Sequence, residues 1–218
     1  AASTMQRDGK TDAAQRFGLA VDPDAREALL AAACVAAPTV ELVARVTDSD
    51  DDSVVELLED AESHEIIVLD GQWMRFAHPL LAAGVYTAAT PAERRAMHRR
   101  LAEVVEEPEL HARHLALSVT RGDRRTLQAL DAAEVKAANR GAPAAAAELL
   151  ELAAKLGGNT PERRIRQANH LFNAGDAEQA RALLNRIADE DVSGPVRAQA
   201  LIVLGAIEIL DRSHSESA

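Results

Sequence analysis

An internal repeat of 34 residues constrains the fold of this chain more than any other feature of the sequence. A shift of 34 positions superimposes Asn139 on Asn173 and Gly141 on Gly175, together with four Ala or Leu positions that follow. Repeats of this length are built as one supersecondary unit that buries its apolar face only by stacking on its neighbours. We therefore expect stacked helix pairs, each with a glycine at its turn.

The composition favours the same conclusion. The chain has 46 alanines among 218 residues, and only 2% of its residues are aromatic. Alanine is the best helix former, whereas sheet proteins need more β-branched and aromatic side chains. Because 34 residues is the tetratricopeptide period, we predict a tetratricopeptide-like antiparallel helical array over residues 107–210, followed by a disordered tail over 211–218.

The N-terminal half has a different pattern. Residues 1–20 are polar and predict a linker or a disordered entry segment. Asp22 and Pro23 then supply a cap and a first helical position. Thr39 caps a second helix, and a run of aspartates begins a third near residue 50.

Periodicity then changes from helical to alternating. Residues 66–69 and 72–76 predict two strands, with Asp70-Gly71 as a type I′ hairpin turn. Three short helices followed by a hairpin form the plan of a winged-helix domain, which we assign to residues 21–106. The predicted fold is mainly α, a winged-helix domain followed by the helical array.

Charge and cysteine content exclude several classes of protein. The net charge is −11, and residues 41–70 carry eleven acids against one base, Arg45, so a phosphate backbone would be repelled. The single Cys34 fits a reducing compartment, and no apolar run approaches the roughly 18 residues of a membrane span. We expect a cytoplasmic protein that contacts neither DNA nor membrane through this segment.

Two groups of residues resemble phosphate-binding sites. Gly9-Lys10-Thr11 ends like a phosphate loop, but Thr4 replaces the required glycine and no strand precedes it. A basic cluster could contact phosphates, pair with the acidic third helix or face solvent, and we favour an internal or interdomain charge role for it. Its members are Arg94, Arg95, Arg99 and Arg100.

No metal or catalytic site is predicted. His98, His111 and His114 lack a neighbouring cysteine or acid at ligand spacing. Cys34 lies near an apolar helix stripe, and no serine occupies a nucleophile elbow. We therefore expect no enzyme activity, no catalytic residue and no cofactor within this chain.

The stretch from Arg75 to Tyr86 is the most informative for function. A strand ends at Phe76 and a helix begins at Pro79, which places His78 at the helix entrance beside unsatisfied backbone N–H groups. Such a helix N-terminus favours anions. The alternative is a histidine that only caps and packs.

Residues 75–105 (RFAHPLLAAGVYTAATPAERRAMHRRLAEVV), with ELHARHLALS and RGAPAAAAELLELAAKL after them, resemble the middle of large ATP-binding LuxR-type regulators of the STAND ATPase class. In that class an ATPase module precedes a winged helix and a tetratricopeptide-like array, and a DNA-binding helix-turn-helix follows. The resemblance covers about residues 22–190. The sequence has no Walker motif and no basic helix-turn-helix, and it opens at Ala1 without methionine, so we expect an excised middle segment.

The resemblance implies a role for His78. In STAND ATPases a winged-helix histidine contacts the β-phosphate of ADP and holds the inactive state, by a charge-assisted bond if it is protonated. His78 matches that position, although Pro79 replaces the motif's acid. ATP or ADP would then bind the parent protein, the partners being its ATPase module and an inducer at the repeats. The alternative function is a stand-alone helical-repeat adaptor; a DNA-binding repressor is disfavoured by the charge.

Overall fold

The chain is mainly helical, as predicted, with one small two-stranded antiparallel sheet. The computed structural model describes residues 23–190 and 192–215. It divides into two compact units, which we call unit 1 (to Val105) and unit 2 (from Glu106). Several sequence predictions lie outside the described residues: the linker over 1–20, the Gly9-Lys10-Thr11 triplet, the Asp22 cap and the last three tail residues.

Unit 1 contains five helices and a hairpin within its described part. Side chains close the helix starts: Thr39 accepts from the Leu42 N–H at 3.1 Å, and Thr90 and Glu93 form a reciprocal capping box. In chain order the elements are α1 (Pro23–Ala33), α2 (Val40–Thr47), α3 (Asp51–Ser63), β1 (Ile67–Asp70), β2 (Trp73–Phe76), α4 (Pro79–Ala88) and α5 (Pro91–Val104).

The hairpin forms where expected, but its turn is shifted by one residue. Asp70 pairs with Trp73, so the two loop residues are Gly71 and Gln72 rather than Asp70 and Gly71. Gly71 has φ +58°, whereas Gln72 is not among the positive-φ residues. A glycine at the first loop position alone indicates a type II′ turn, so the type I′ prediction was wrong.

A short segment before α2 fixes this register. Thr39 bridges to Trp73 in antiparallel fashion, and the Met74 N–H donates to the Pro38 carbonyl oxygen at 3.0 Å. The second strand is thus bonded on both edges. Its inward residues join the unit 1 core, whose largest fully buried side chains are Leu29, Leu58, Ile67, Met97 and Leu101.

Unit 2 contains six helices in its described part. Proline begins three of them, because its missing N–H is not needed at the first helical position. The helices are α6 (Pro108–Leu117), α7 (Arg124–Asn139), α8 (Pro143–Ala153), α9 (Pro161–Asn173), α10 (Ala177–Asp189) and α11 (Gly194–Ser215).

The turns after α7 and α9 have the same geometry. Gly141 and Gly175 have φ +79° and +91°. Each glycine N–H donates to the carbonyl three residues back, and the next residue's N–H donates to the carbonyl five residues back. The 34-residue repeat therefore recurs as a repeated backbone turn, with the two glycines at equivalent places as predicted.

These turns give a first testable expectation. A Cβ at Gly141 or Gly175 would meet no atom within 4 Å, so Gly141→Ala and Gly175→Ala should each cost only backbone strain, about 1–2 kcal/mol. Urea unfolding measures both. Gly194→Ala is the control, since Gly194 has open space without positive φ. Wild-type stability in either turn variant would contradict the repeated-turn argument.

Two helix ends differ from the sequence prediction. After α8 the backbone makes one π-helical turn over Ala154–Gly158, and Gly157 within it has φ +93°. At the C-terminus, α11 continues to Ser215 rather than ending at residue 210, because no glycine or proline follows Gly205 to stop it. The predicted disordered tail is therefore helical over residues 211–215.

Candidate functional site

His78 lies between the hairpin and α4, where the sequence analysis placed it. The Ala77 N–H donates to the Ile66 carbonyl oxygen and ends the sheet. His78 then adopts extended backbone angles, and its Nδ1 accepts a hydrogen bond from the Leu80 N–H at 3.1 Å. The side chain is exposed. His78 is thus the N-cap of α4, and its ring is exposed.

The structure corrects the expectation of free backbone donors beside His78. Pro79 has no N–H, Leu80 donates to the His78 ring, and Leu81 donates to the His78 carbonyl oxygen at 2.9 Å. The first three helical positions therefore offer no free donor to an anion. What the site can offer is the imidazole itself.

The cap also fixes the tautomer of the ring. Because Nδ1 accepts a hydrogen bond, the hydrogen must sit on Nε2. A doubly protonated ring could not accept from Leu80. The capped geometry therefore presents an Nε2–H donor and not a doubly protonated ring. A bond from this donor to an ionised phosphate oxygen would still be charge-assisted.

Large apolar side chains of unit 1 are exposed on the hairpin and at the start of α4. Trp73 is 53% exposed and Leu80 is 71% exposed. Trp73 and Arg75 alternate with inward-facing Met74 and therefore share the outer face of β2. Exposed Trp and Leu are typical of contact surfaces.

The basic cluster on α5 has internal contacts. Arg94 donates to the carbonyl oxygens of Tyr86 and Ala89, each at 3.0 Å, and its guanidinium lies 5.0 Å from the centre of the Tyr86 ring. Arg100 forms an ion pair with Glu27 of α1, not with the acidic α3. Arg95 is half-buried and Arg99 is exposed.

The other candidate histidines are packed side chains. His98 is buried, and its Nε2 lies 3.1 Å from the Tyr86 hydroxyl. Burial, reinforced by the charges of Arg113 and His111, lowers the pKa of His114 to about 4. Within residues 23–190 and 192–215 no group of three potential ligands could hold a metal ion.

Cys34 is unsuited to nucleophilic chemistry. Burial raises the pKa of its thiol to about 12, although Arg94 opposes the shift. The reactive thiolate is therefore scarce at neutral pH.

A groove in unit 2 provides a second candidate site. It has a volume of about 720 Å³ and is lined by α8, α9 and α10. Its lining combines alanines, the side-chain amides of Gln167 and Gln179, and charged side chains that include Glu148, Glu151, Asp176 and Arg186. One end carries Arg164, which pairs through both terminal nitrogens with Glu190 at 2.5–2.6 Å. This volume is within the range of ligand pockets.

A charged cluster that the sequence did not predict joins α7 and α9. Arg163 and Arg166 both bond Asp131, at 2.7 and 2.5 Å, and His170 Nε2 lies 2.5 Å from Oε1 of Glu134. Burial raises the pKa of Asp131, but the two arginines outweigh it, so the net pKa is below its ordinary value. The repeat could have indicated this cluster, because the bonded residues are 32–36 positions apart in the chain, close to the repeat period of 34.

Comparison with known proteins gives no relative. Searches with protein-family models, among curated proteins and among solved structures find no match to this chain. In the described part of the chain, no helix has both the length and the apolar character needed to cross a bilayer.

Proposed function

We propose that this chain is the regulatory segment of an ATP-dependent LuxR-type transcriptional regulator of the STAND class. Unit 1 acts as its winged helix, and unit 2 as a tetratricopeptide-like array that receives an inducer or a protein partner. The order α1, α2, α3, hairpin supports the winged-helix assignment. The Thr39–Trp73 bridge supports it further, since it adds a minimal third strand beside β2.

One observation carries this proposal: the exposed histidine that caps α4. Asn, Asp, Ser and Thr are the preferred caps. The chain uses Thr39, Asp50, Thr90 and Asp123 at other helix starts, and Glu107 caps α6 with its carboxylate. An asparagine could cap this helix as well as a histidine does. What the histidine adds is a ring N–H donor on the exposed side of the cap. A surface residue chosen against local preference is typical of a functional position.

The proposed chemistry is phosphate recognition. The Nε2–H of His78 would donate to a phosphate oxygen of ADP held by an ATPase module, and exposed Trp73 and Leu80 would cover part of the contact. No residue of this chain is assigned a catalytic role. Loss of the bond would remove stabilisation from the ADP-bound state only, so it would shift the balance toward the active state.

The test is ADP release from a polypeptide that joins this chain to its ATPase module. A hydrogen bond to a charged group contributes about 1.5–3 kcal/mol, so His78→Ala should speed ADP dissociation roughly 10- to 150-fold. His78→Asn is the matched control for the cap, because asparagine retains an acceptor for the Leu80 N–H but has no ring donor. It should keep the stability of unit 1 and still release ADP quickly. Wild-type release from the asparagine variant would contradict the proposal.

A stand-alone adaptor remains the second candidate, and the unit 2 groove favours it. The alanines of its walls and its side-chain amides suit an extended peptide, which would bind without any nucleotide. The coding sequence immediately upstream distinguishes the two functions: an in-frame phosphate-loop module there favours the regulator. The acidic face of α3, which includes exposed Asp51, Glu56 and Glu59, supports the prediction that neither candidate binds DNA through unit 1.

A further inference from the structure

The outward face of α11 is apolar, although the solvent-facing side of a surface helix is normally polar or charged. Residues 198–207 contain no charged side chain. The inward face is packed, with Ala200 and Ile207 buried. On the outward face Leu201, Ile202 and Ile209 are 50%, 71% and 70% exposed. Apart from exposed Gln199, this stretch is apolar on its outward face as well as its inward face. An apolar helix face is normally covered, and within the described residues nothing covers the outward one.

Gly205 gives a second, independent observation on the same face. It lies in the interior of α11, where glycine is among the poorest helix formers. At Gly158 an added Cβ would come within 2.7 Å of Leu127, which explains that glycine by close packing. At Gly205 an added Cβ would meet nothing within 4 Å. No contact within the described chain therefore requires this glycine, whose effect is to leave a notch one turn from Ile202.

The apolar positions have the spacing of a helix–helix seam. Ala198, Ile202, Gly205 and Ile209 are separated by four, three and four residues, which is the alternation of a heptad seam. We name these four residues the α11 seam. Large and small residues alternate along it in the order Ala, Ile, Gly, Ile.

We propose that the α11 seam pairs antiparallel with the same seam of a second copy of this chain. A twofold axis midway between positions 202 and 205 places Ile202 against the partner's Gly205. The same axis places Ala198 against the partner's Ile209. Every layer then joins one isoleucine to one small residue, which fills space without overlap.

The sequence order argues against a parallel pair. Parallel seams would set Ile202 against the partner's Ile202 and Gly205 against the partner's Gly205. One layer would be crowded and the next would leave a void, both of which destabilise an interface. Size complementarity therefore selects the antiparallel arrangement. In that arrangement the seam is its own complement, which favours a second copy of this chain as the occupant.

The seam is short, which sets the expected affinity. Twelve helical residues span only about 18 Å, so one pair of such seams buries little surface, whereas standard interfaces bury roughly 1,200–2,000 Å². We expect a reversible dimer with a Kd of roughly 10 µM to 1 mM. Sedimentation equilibrium of the full chain over that concentration range measures it.

Two substitutions compare the seam with another exposed apolar site. Ile202→Asp should weaken dimerisation at least about tenfold, because a charge would be buried at the pairing layer. Val135→Asp is the matched control, since Val135 is an exposed apolar residue of α7 at 52% exposure. It should leave the Kd unchanged. A wild-type chain that stays monomeric over the whole range would overturn the proposal, as would equal effects of the two substitutions.

A residue swap tests the geometry. Ile202→Gly and Gly205→Ile should each weaken the dimer about tenfold or more, whereas the double variant restores an isoleucine–glycine layer and should return the Kd to within about threefold of wild type. Gly205→Ala should raise the Tm of the monomer by about 2–4 °C while weakening dimerisation. A double variant no better than either single one would overturn the antiparallel seam, as would a Gly205→Ala variant that dimerises like wild type.

Discussion

Glu134→Ala is expected to destabilise unit 2 by about 3 kcal/mol. Glu134 is only 3% exposed, and its carboxylate contacts His170 and Arg166 of α9. Removal of one partner of a buried ion pair leaves the other uncompensated, which typically costs about 3–5 kcal/mol. The lower end is expected here because the Arg166 side chain is 41% exposed and can be rehydrated. Urea unfolding of wild type and variant measures the difference.

Two further variants separate charge from packing at this position. Glu134→Gln keeps the volume and an acceptor for His170, so we expect a smaller loss than with alanine. The double variant Glu134→Leu/His170→Leu replaces the pair by apolar side chains and should recover part of the loss, because both desolvation costs disappear. An alanine variant within about 0.5 kcal/mol of wild type would mean that the cluster does not hold α7 to α9.

Unit 2 is also expected to lose stability as the pH falls from about 6.5 to 4. Burial holds the pKa of His114 at about 4, below the ordinary value of 6.5. In this window the unfolded chain binds a proton at His114 that the folded chain does not, so stability falls with falling pH. At 1.36 kcal/mol per pH unit, the loss between pH 7 and pH 5 is about 2 kcal/mol.

His114→Phe should abolish this part of the pH dependence. The free energy of unfolding is compared at pH 7 and pH 5 for wild type and variant, and the difference between the two pH values should shrink by about 2 kcal/mol. Leu110→Phe is the control, since Leu110 is an exposed, non-titrating residue of the same helix as His114, and it should keep the pH dependence of wild type. An unchanged pH dependence in His114→Phe would show that another group causes it.

Helix starts were predictable from the sequence because their chemistry is local. Thr39 caps the second helix and Pro79 begins the helix after the hairpin, as the sequence predicts. The position of His78 followed from the same rule. Its hydrogen bonding did not, because the use of Leu80 and Leu81 as donors depends on how the ring turns back onto the helix.

Features that depend on distant partners were missed or misplaced. The hairpin turn shifted by one residue because Pro38 and Thr39, far along the chain, bond to β2. The acidic residues Asp131 and Glu134 were not associated with α9, since no local rule brings them together. The groove between α8 and α10 depends on the same packing and could not be located from residue types.

The first complete helix pair of unit 2, α7 and α8, is closed by a hydrogen bond between the residues just before α7 and just after α8. The Gly122 N–H, just before α7, donates to the Leu156 carbonyl oxygen just after α8, at 2.9 Å. Tension along the chain would therefore pass across this bond before it reached either helix. While that bond holds, a pull on unit 2 would act first on the helices outside the pair, α6, α9, α10 and α11.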